Sequence, residues 1–237
     1  MRAELRRRIG EDLMPRVEIE VEQVGASVQA PLDSPLYRLL EEVVVGWLRD
    51  GLGLPGSFDG LLNDTASTST LIALAAAREA AGLQAAADGL AAHRERGLPA
   101  VYASAEAHSS VEKACMTLGL GRAAIWRIPV DDVYRMRVDL LERAIEEDRA
   151  GGDVPVAIVA TIGTTSSTAV DPVAAIAGVA ERERTWLHVD AAYAGSVALV
   201  PQRRTLGCGR SGMPEGDAIA GSRLPAARRR RTGGRRV

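Results

Sequence analysis

Apolar residues recur at helical spacing over 35–50, PLYRLLEEVVVGWLRD, until Gly51, Gly53, Pro55 and Gly56 break the period. Ser34 before Pro35 has the order of an N-cap followed by a proline in the first turn. An Ala-rich helix is predicted over 67–82, STSTLIALAAAREAAG, with hydroxyls at its start and Gly82 at its end. Segments 99–104, PAVYAS, and 123–130, AAIWRIPV, read as strands, with a short helix over 109–119 between them. A helix over 139–152 starts at Asp139 as its cap and ends in glycines. The run 154–163, VPVAIVATIG, is apolar throughout and rich in β-branched residues, the pattern of a strand covered on both faces. A helix over 171–183 has Asp171 as its cap and Pro172 at its first position, and Trp186, Leu187 and Val189 then mark a short strand that ends at Asp190.

Strand and helix alternate, which predicts an α/β fold with a mainly parallel sheet flanked by helices. Ligands of such sheets sit outside the carboxyl ends of the strands. Asp190 stands at one such end, Thr164 and Thr165 at a second, and Glu106 and His108 at a third. No internal repeat is present.

Composition narrows the class. Hydrophobic residues make up 46% of the 237 but aromatics only 3%, so the core must be built from Ala, Val, Leu and Ile. No apolar run approaches a membrane span, and the first residues, MRAELRRRIGEDLMP, lack the apolar core of a signal peptide. Cys115 and Cys208 lie too far apart for a metal or redox spacing. The expectation is a reduced cytoplasmic protein without metal or membrane segment. Seven arginines and no acid fall in 223–237, so the rest of the chain carries −9 against a total of −2. Residues 207–237 have no apolar period and are rich in Gly, Arg and Pro, the composition of a disordered tail. Lys113 is the one lysine in the sequence.

Taken singly, these residues leave their roles open. Asp190 suits a helix cap, a metal ligand or a catalytic carboxylate. The TASTST run at 65–70 suits helix capping as well as anion binding, and His108 suits a polar core or surface position as well as a site.

As a set they resemble the pyridoxal-phosphate-dependent group II amino-acid decarboxylases, the family of aromatic-L-amino-acid decarboxylase. The matching segments are TASTSTLIALAAARE (65–79), AEAHSSVEKA (105–114), IVATIGTTSSTAVDP (158–172) and WLHVDAAYAGS (186–196), with SPLYRLLEEVVVGWL (34–48) resembling the helix before the cofactor domain. The resemblance runs from about residue 25 to about residue 204 and implies the large domain of PLP fold type I. It implies an N-terminal helical segment over 1–55, a partial pyridoxal-phosphate-binding domain over 56–206 and the tail over 207–237.

The resemblance also implies roles. Pyridoxal 5′-phosphate is the cofactor, and Asp190 faces its ring nitrogen and keeps it protonated. Ala192 packs on one face of the ring, and His108 stacks on the other and assists at the substrate. Ala66 and Ser67 belong to the loop that holds the phosphate, where the N–H groups of a helix start suit an anion. Thr165 matches a threonine near the cofactor and Asp190. Tyr193-Ala194-Gly195 favours an aromatic amino acid or histidine as substrate, since glutamate decarboxylases tend to carry Trp-Gly after the alanines. The family is homodimeric with active sites at the interface.

After the last matching segment the pattern departs. The family's Asn-Pro-His-Lys segment, whose lysine binds the cofactor covalently, has MPEGDAIAGSRLPAARRRR in its place, with only an EG-DAI echo and no lysine. By motif, Lys113 lies on the helix after the stacking histidine and does not inherit that role. Against the family pattern, the C-terminal small domain is expected to be absent as well. The expectation is a decarboxylase by ancestry that turns over very slowly as this chain. A frameshift between about residues 204 and 222 is expected, with the lysine segment encoded in another frame. Alternatives are a non-catalytic cofactor-binding remnant or dimer partner of an intact paralogue, and another fold-type-I enzyme such as an aminotransferase. Nucleic-acid binding through the arginine tail ranks lowest, because the tail has no aromatics for base stacking and the body is acidic.

Overall fold

The computed structural model describes residues 35–200 and residue 202. The Ser34 cap, Cys208, the 207–237 tail and the departure from the family pattern lie outside the described residues. The chain divides into two compact units, Met1–Leu62 and Asn63–Val237. In the first, helix α1 (Pro35–Leu52) carries the predicted 35–50 period, and the Leu62 N–H donates to Glu41 Oε1 at 2.7 Å.

The second unit runs α2 (Ala66–Ala80), α3 (Ala85–Asp88), β1 (Pro99–Ser104), α4 (Ser110–Thr117), β2 (Ile125–Ile128), α5 (Val138–Gly151), β3 (Val154–Thr161), α6 (Val173–Arg182) and β4 (Trp186–Asp190). Among the described residues these strands form one sheet in the order β2-β1-β3-β4, with every neighbouring pair parallel. Alternate side chains go to opposite faces. Tyr102, Ile158, Ala160 and Val189 pack with Leu141 and Ile145 of α5 and Ile176 and Val179 of α6. Val101, Ala103, Val159 and Trp186 pack with Leu74 and Ala77 of α2 and Val111 and Cys115 of α4. Covered on both faces, β3 reads as a continuous apolar run. Each fully buried Leu, Ile or Val contributes about 1.5–3 kcal/mol.

The strand order creates a switch point. The chain leaves β1 for α4 on one face and leaves the neighbouring β3 for α6 on the other. The carboxyl ends of β1 and β3 therefore flank a crevice where α/β sheets bind ligands.

Two capping expectations are corrected. α6 begins at Val173 with Pro172 as N-cap and no side-chain cap bond. The Asp171 carboxylate, 2% exposed, instead accepts the Met136 N–H and the Thr161 N–H, each at 2.8 Å. Burial pushes its carboxyl up, and the two N–H groups oppose that. Asp139 lies inside the first turn of α5 and pairs with Arg137, the N-cap residue. Backbone N–H donors from two other segments thus occupy the Asp171 carboxylate, and the N-cap cation two residues away occupies that of Asp139.

Asp171 thus ties the end of β3 to the segment before α5. Asp171→Ala leaves two buried N–H groups without acceptors, each costing about 1–3 kcal/mol. The urea midpoint is expected to fall by the equivalent of about 3 kcal/mol, with Asp171→Asn recovering part; an unchanged midpoint would refute the role.

Candidate functional site

Helix α2 runs against the strands. Ala77, Ala80 and Ala81 at its C-terminal end line one small crevice with Pro155, Val156 and Trp186 at the starts of β3 and β4. From Ala77 back to Ala66 the helix rises about 16 Å, and from Val156 to Thr161 the strand rises about the same. The N-terminus of α2 is thereby level with the carboxyl ends of β3 and β4. The Thr65 side chain accepts the Thr68 N–H at 3.2 Å as N-cap, as the hydroxyl run predicts. The N–H groups of Ala66 and Ser67 lie ahead of any intrahelical acceptor, and both residues are exposed.

Asp190 closes β4 opposite Thr161 in register. Its backbone oxygen accepts the Ile162 N–H at 2.8 Å, and its Oδ1 accepts the Ala192 N–H at 3.2 Å. The carboxylate is half-buried, and among the described residues no cation forms an ion pair with it. The small residues after it have a steric reason. Gly163 has φ +86°, and a Cβ there would lie 2.6 Å from the Cβ of Ala194. A Cβ on Gly195 would lie 2.9 Å from that of Ala191. The chain after Asp190 packs directly on the turn after β3.

That turn separates two neighbouring threonines. Thr164 is 1% exposed, and its Oγ1 meets Ser167 Oγ at 2.6 Å and accepts the Ala169 N–H at 3.1 Å, so it holds the turn. Thr165 is exposed. The turn carries strain: Thr168, a β-branched residue, has φ +56°.

His108 follows β1, exposed, with Nδ1 accepting the Ser110 N–H at 3.2 Å at the start of α4. Since β3 lies between β1 and β4, about 10 Å separates the strand ends that carry His108 and Asp190. Ala192 is exposed beside Asp190. The fold gathers the ends of β1, β3 and β4 and the start of α2 at one edge of the sheet. Lys113 lies on the exposed side of α4, away from Val111, Ala114 and Cys115.

Two residues were not singled out from the sequence. Thr161 Oγ1 and His188 Nε2 are buried without a hydrogen-bond partner. Burial pushes the His188 imidazole below its ordinary range, with the charge of Asp190 opposing. Strand parity could have found His188, two positions before Asp190 and therefore on the same face. Among the described residues no group of three or more His, Cys, Asp or Glu could hold a metal ion, and no helix is long and apolar enough to cross a membrane.

Comparison with known proteins gives one family. The pyridoxal-dependent decarboxylase conserved domain matches residues 23–222, which extends past residue 204 to include the EG-DAI echo. Aromatic-L-amino-acid decarboxylase of Sus scrofa is 40% identical over 183 residues, covering 73% of this chain and 37% of that protein. Histidine decarboxylase of Rattus norvegicus is 43% identical over 187 residues, covering 72% and 27%. The crystal structure of Oryza sativa TDC with PLP and tryptamine superposes with a TM-score of 0.68 at 39% identity, covering 74% of this chain and 37% of that one. Mouse CSAD gives a TM-score of 0.69 at 38% identity, covering 74% and 36%. The chain spans about a third of the length of most of these relatives. With the family's domain matching most of this chain and the strands presenting one polar edge, the chain belongs to the pyridoxal-dependent decarboxylases.

Proposed function

We propose that the edge formed by β1, β3, β4 and the start of α2 is a pyridoxal-phosphate cradle built for decarboxylation of an L-amino acid, an aromatic one or histidine. The observation that carries this is Asp190: a half-buried carboxylate at a strand end with no cation paired to it among the described residues. A protonated pyridine nitrogen supplies the missing charge. Bound there, the cofactor supplies an electron sink for the pair left when a carboxylate departs. Asp190 holds the proton on the ring nitrogen. The helix-start N–H groups of Ala66 and Ser67 hold the phosphate. The exposed imidazole of His108 covers one ring face, Ala192 leaves room on the other, and Thr165 presents its hydroxyl at the crevice.

The curated relatives named above act on aromatic amino acids and histidine, which supports that substrate class. The sequence holds one lysine, exposed on α4, so the cofactor binds this chain without a covalent bond and turnover is very slow. Homodimerisation and the division between 1–55 and 56–206 rest on the resemblance, a cytoplasmic location and the 207–237 tail on composition, and all belong to this proposal. Titration with pyridoxal phosphate followed by absorbance is expected to show weak, saturable binding at about one site per chain. A linear, non-saturating response would remove the reading.

A further inference from the structure

We propose that Thr161 and His188 act as positioning residues behind Asp190, in a relay in which His188 Nε2–H donates to Thr161 Oγ1 and the Thr161 hydroxyl donates to the Asp190 carboxylate. This rests on the cofactor reading above. Among the described residues three buried side-chain atoms lack a partner, Thr161 Oγ1, Trp186 Nε1 and His188 Nε2, and the two closer in register to Asp190, Thr161 Oγ1 and His188 Nε2, lie on one patch. Thr161 is the register partner of Asp190, and His188 is the register partner of Val159, two residues before Thr161. By strand parity Thr161, His188 and Asp190 all point to the face covered by α2 and α4. Thr161 is 4% exposed, and its Oγ1 and the His188 Nε2 are both buried with no partner.

Buried polar atoms in native proteins are nearly always hydrogen-bonded. Neighbouring strands lie about 4.8 Å apart, so Thr161 stands beside Asp190 across the ladder, and the relay requires the longer imidazole of His188, diagonal to Thr161 on the same face, to turn toward its hydroxyl. The donor and acceptor inventory fixes its direction. A carboxylate only accepts, a hydroxyl donates one hydrogen and also accepts, and a neutral imidazole donates from one nitrogen. His188 is the neutral form, because burial holds it below its ordinary range. The order His188 to Thr161 to Asp190 satisfies all three groups. The reverse tautomer, in which Thr161 donates to an unprotonated Nε2, leaves the carboxylate without the hydroxyl. With one oxygen toward the ring cation, Asp190 turns the other toward Thr161, and the relay fixes that orientation.

The test uses the full 237-residue chain labelled with 15N-histidine; its three histidines keep the spectrum simple. Pyridoxal phosphate at saturation is expected to shift the His188 Nε2 resonance while His188 stays in the Nε2–H form. Thr161→Val is expected to abolish that shift and to weaken cofactor binding about tenfold, the lower end for a hydrogen bond to a charged group. Thr161→Ser is expected to restore both, which a merely structural role for the methyl group would not do. An Nδ1–H tautomer, a His188 signal unmoved at saturation, or Thr161→Val indistinguishable from the parent overturns the relay while Asp190→Ala still loses the cofactor. The measurement on the parent chain needs no variant to fold. If the parent does not bind the cofactor, or Asp190→Ala binds it equally, the cofactor reading itself has failed and the relay falls with it.

Discussion

Mixed with pyridoxal phosphate and reduced with borohydride, the 237-residue chain is expected to carry no pyridoxyl group on Lys113, and to release no detectable carbon dioxide from tyrosine, DOPA, tryptophan or histidine. The cause is positional. Lys113 is the single lysine in the sequence and sits on the exposed side of α4, whose other side supplies Val111, Ala114 and Cys115 to the core. A lysine that anchors a cofactor covalently must present a desolvated or otherwise activated amine at the cofactor. No lysine of this chain meets that requirement at the end of β4. Peptide mass spectrometry after reduction reads the first expectation and carbon dioxide trapping the second. Stoichiometric labelling of Lys113, or turnover near the common enzymatic rate of about 10 per second, would contradict both.

Asp190→Ala is expected to weaken pyridoxal-phosphate binding by roughly 10- to 150-fold, the range that corresponds to the 1.5–3 kcal/mol of a charge-assisted hydrogen bond. The variant removes the one carboxylate at the end of β4 and leaves the strand intact, because the Asp190 bond to Ile162 is made by the backbone oxygen. Asp190→Asn keeps the shape and the acceptor for the Ala192 N–H but loses the charge. A loss in both variants assigns the effect to charge. Retained affinity in Asp190→Asn would mean that shape alone suffices and that the ring nitrogen is not held protonated by this residue.

The fold was legible where the sequence carries both a period and a stop. The strands at 99–104 and 186–190 match β1 and β4, since apolar residues fill them and polar or small residues end them. The 154–163 run overshoots β3 by two residues. Ile162 remains apolar and 4% exposed, but it leaves the parallel ladder for a bridge to Val170, and Gly163 then turns the chain at φ +86°. The 123–130 run overstates β2, because residues 122–124 form a tight helical turn that keeps Ala124 in the core. Hydrophobicity reports burial and not hydrogen-bond pattern, so such ends blur. Asp171 was misread because its partners, Met136 and Thr161, are set by tertiary structure, and Asp139 because the N-cap stands two residues earlier, at Arg137, which pairs with it locally.

The candidate site is legible as polar residue types on strand ends, because the parallel sheet collects those ends at one edge; the roles given to these residues remain the proposal. The different duties of Thr164 and Thr165 were not legible, since only the turn shows that one hydroxyl faces Ser167 and the other is exposed. Thr161 and His188 escaped attention as members of apolar strands, and became visible only once their polar atoms were found buried without partners.

The central claim is that Asp190 is the counter-ion of a pyridoxal-phosphate ring held at the end of β4. It is tested most directly by the 15N spectrum of ring-labelled pyridoxal phosphate bound to the unmodified 237-residue chain. The account predicts a bound species whose ring nitrogen stays protonated above the pH at which the free cofactor loses that proton. A bound ring nitrogen that titrates as it does in free solution would contradict it.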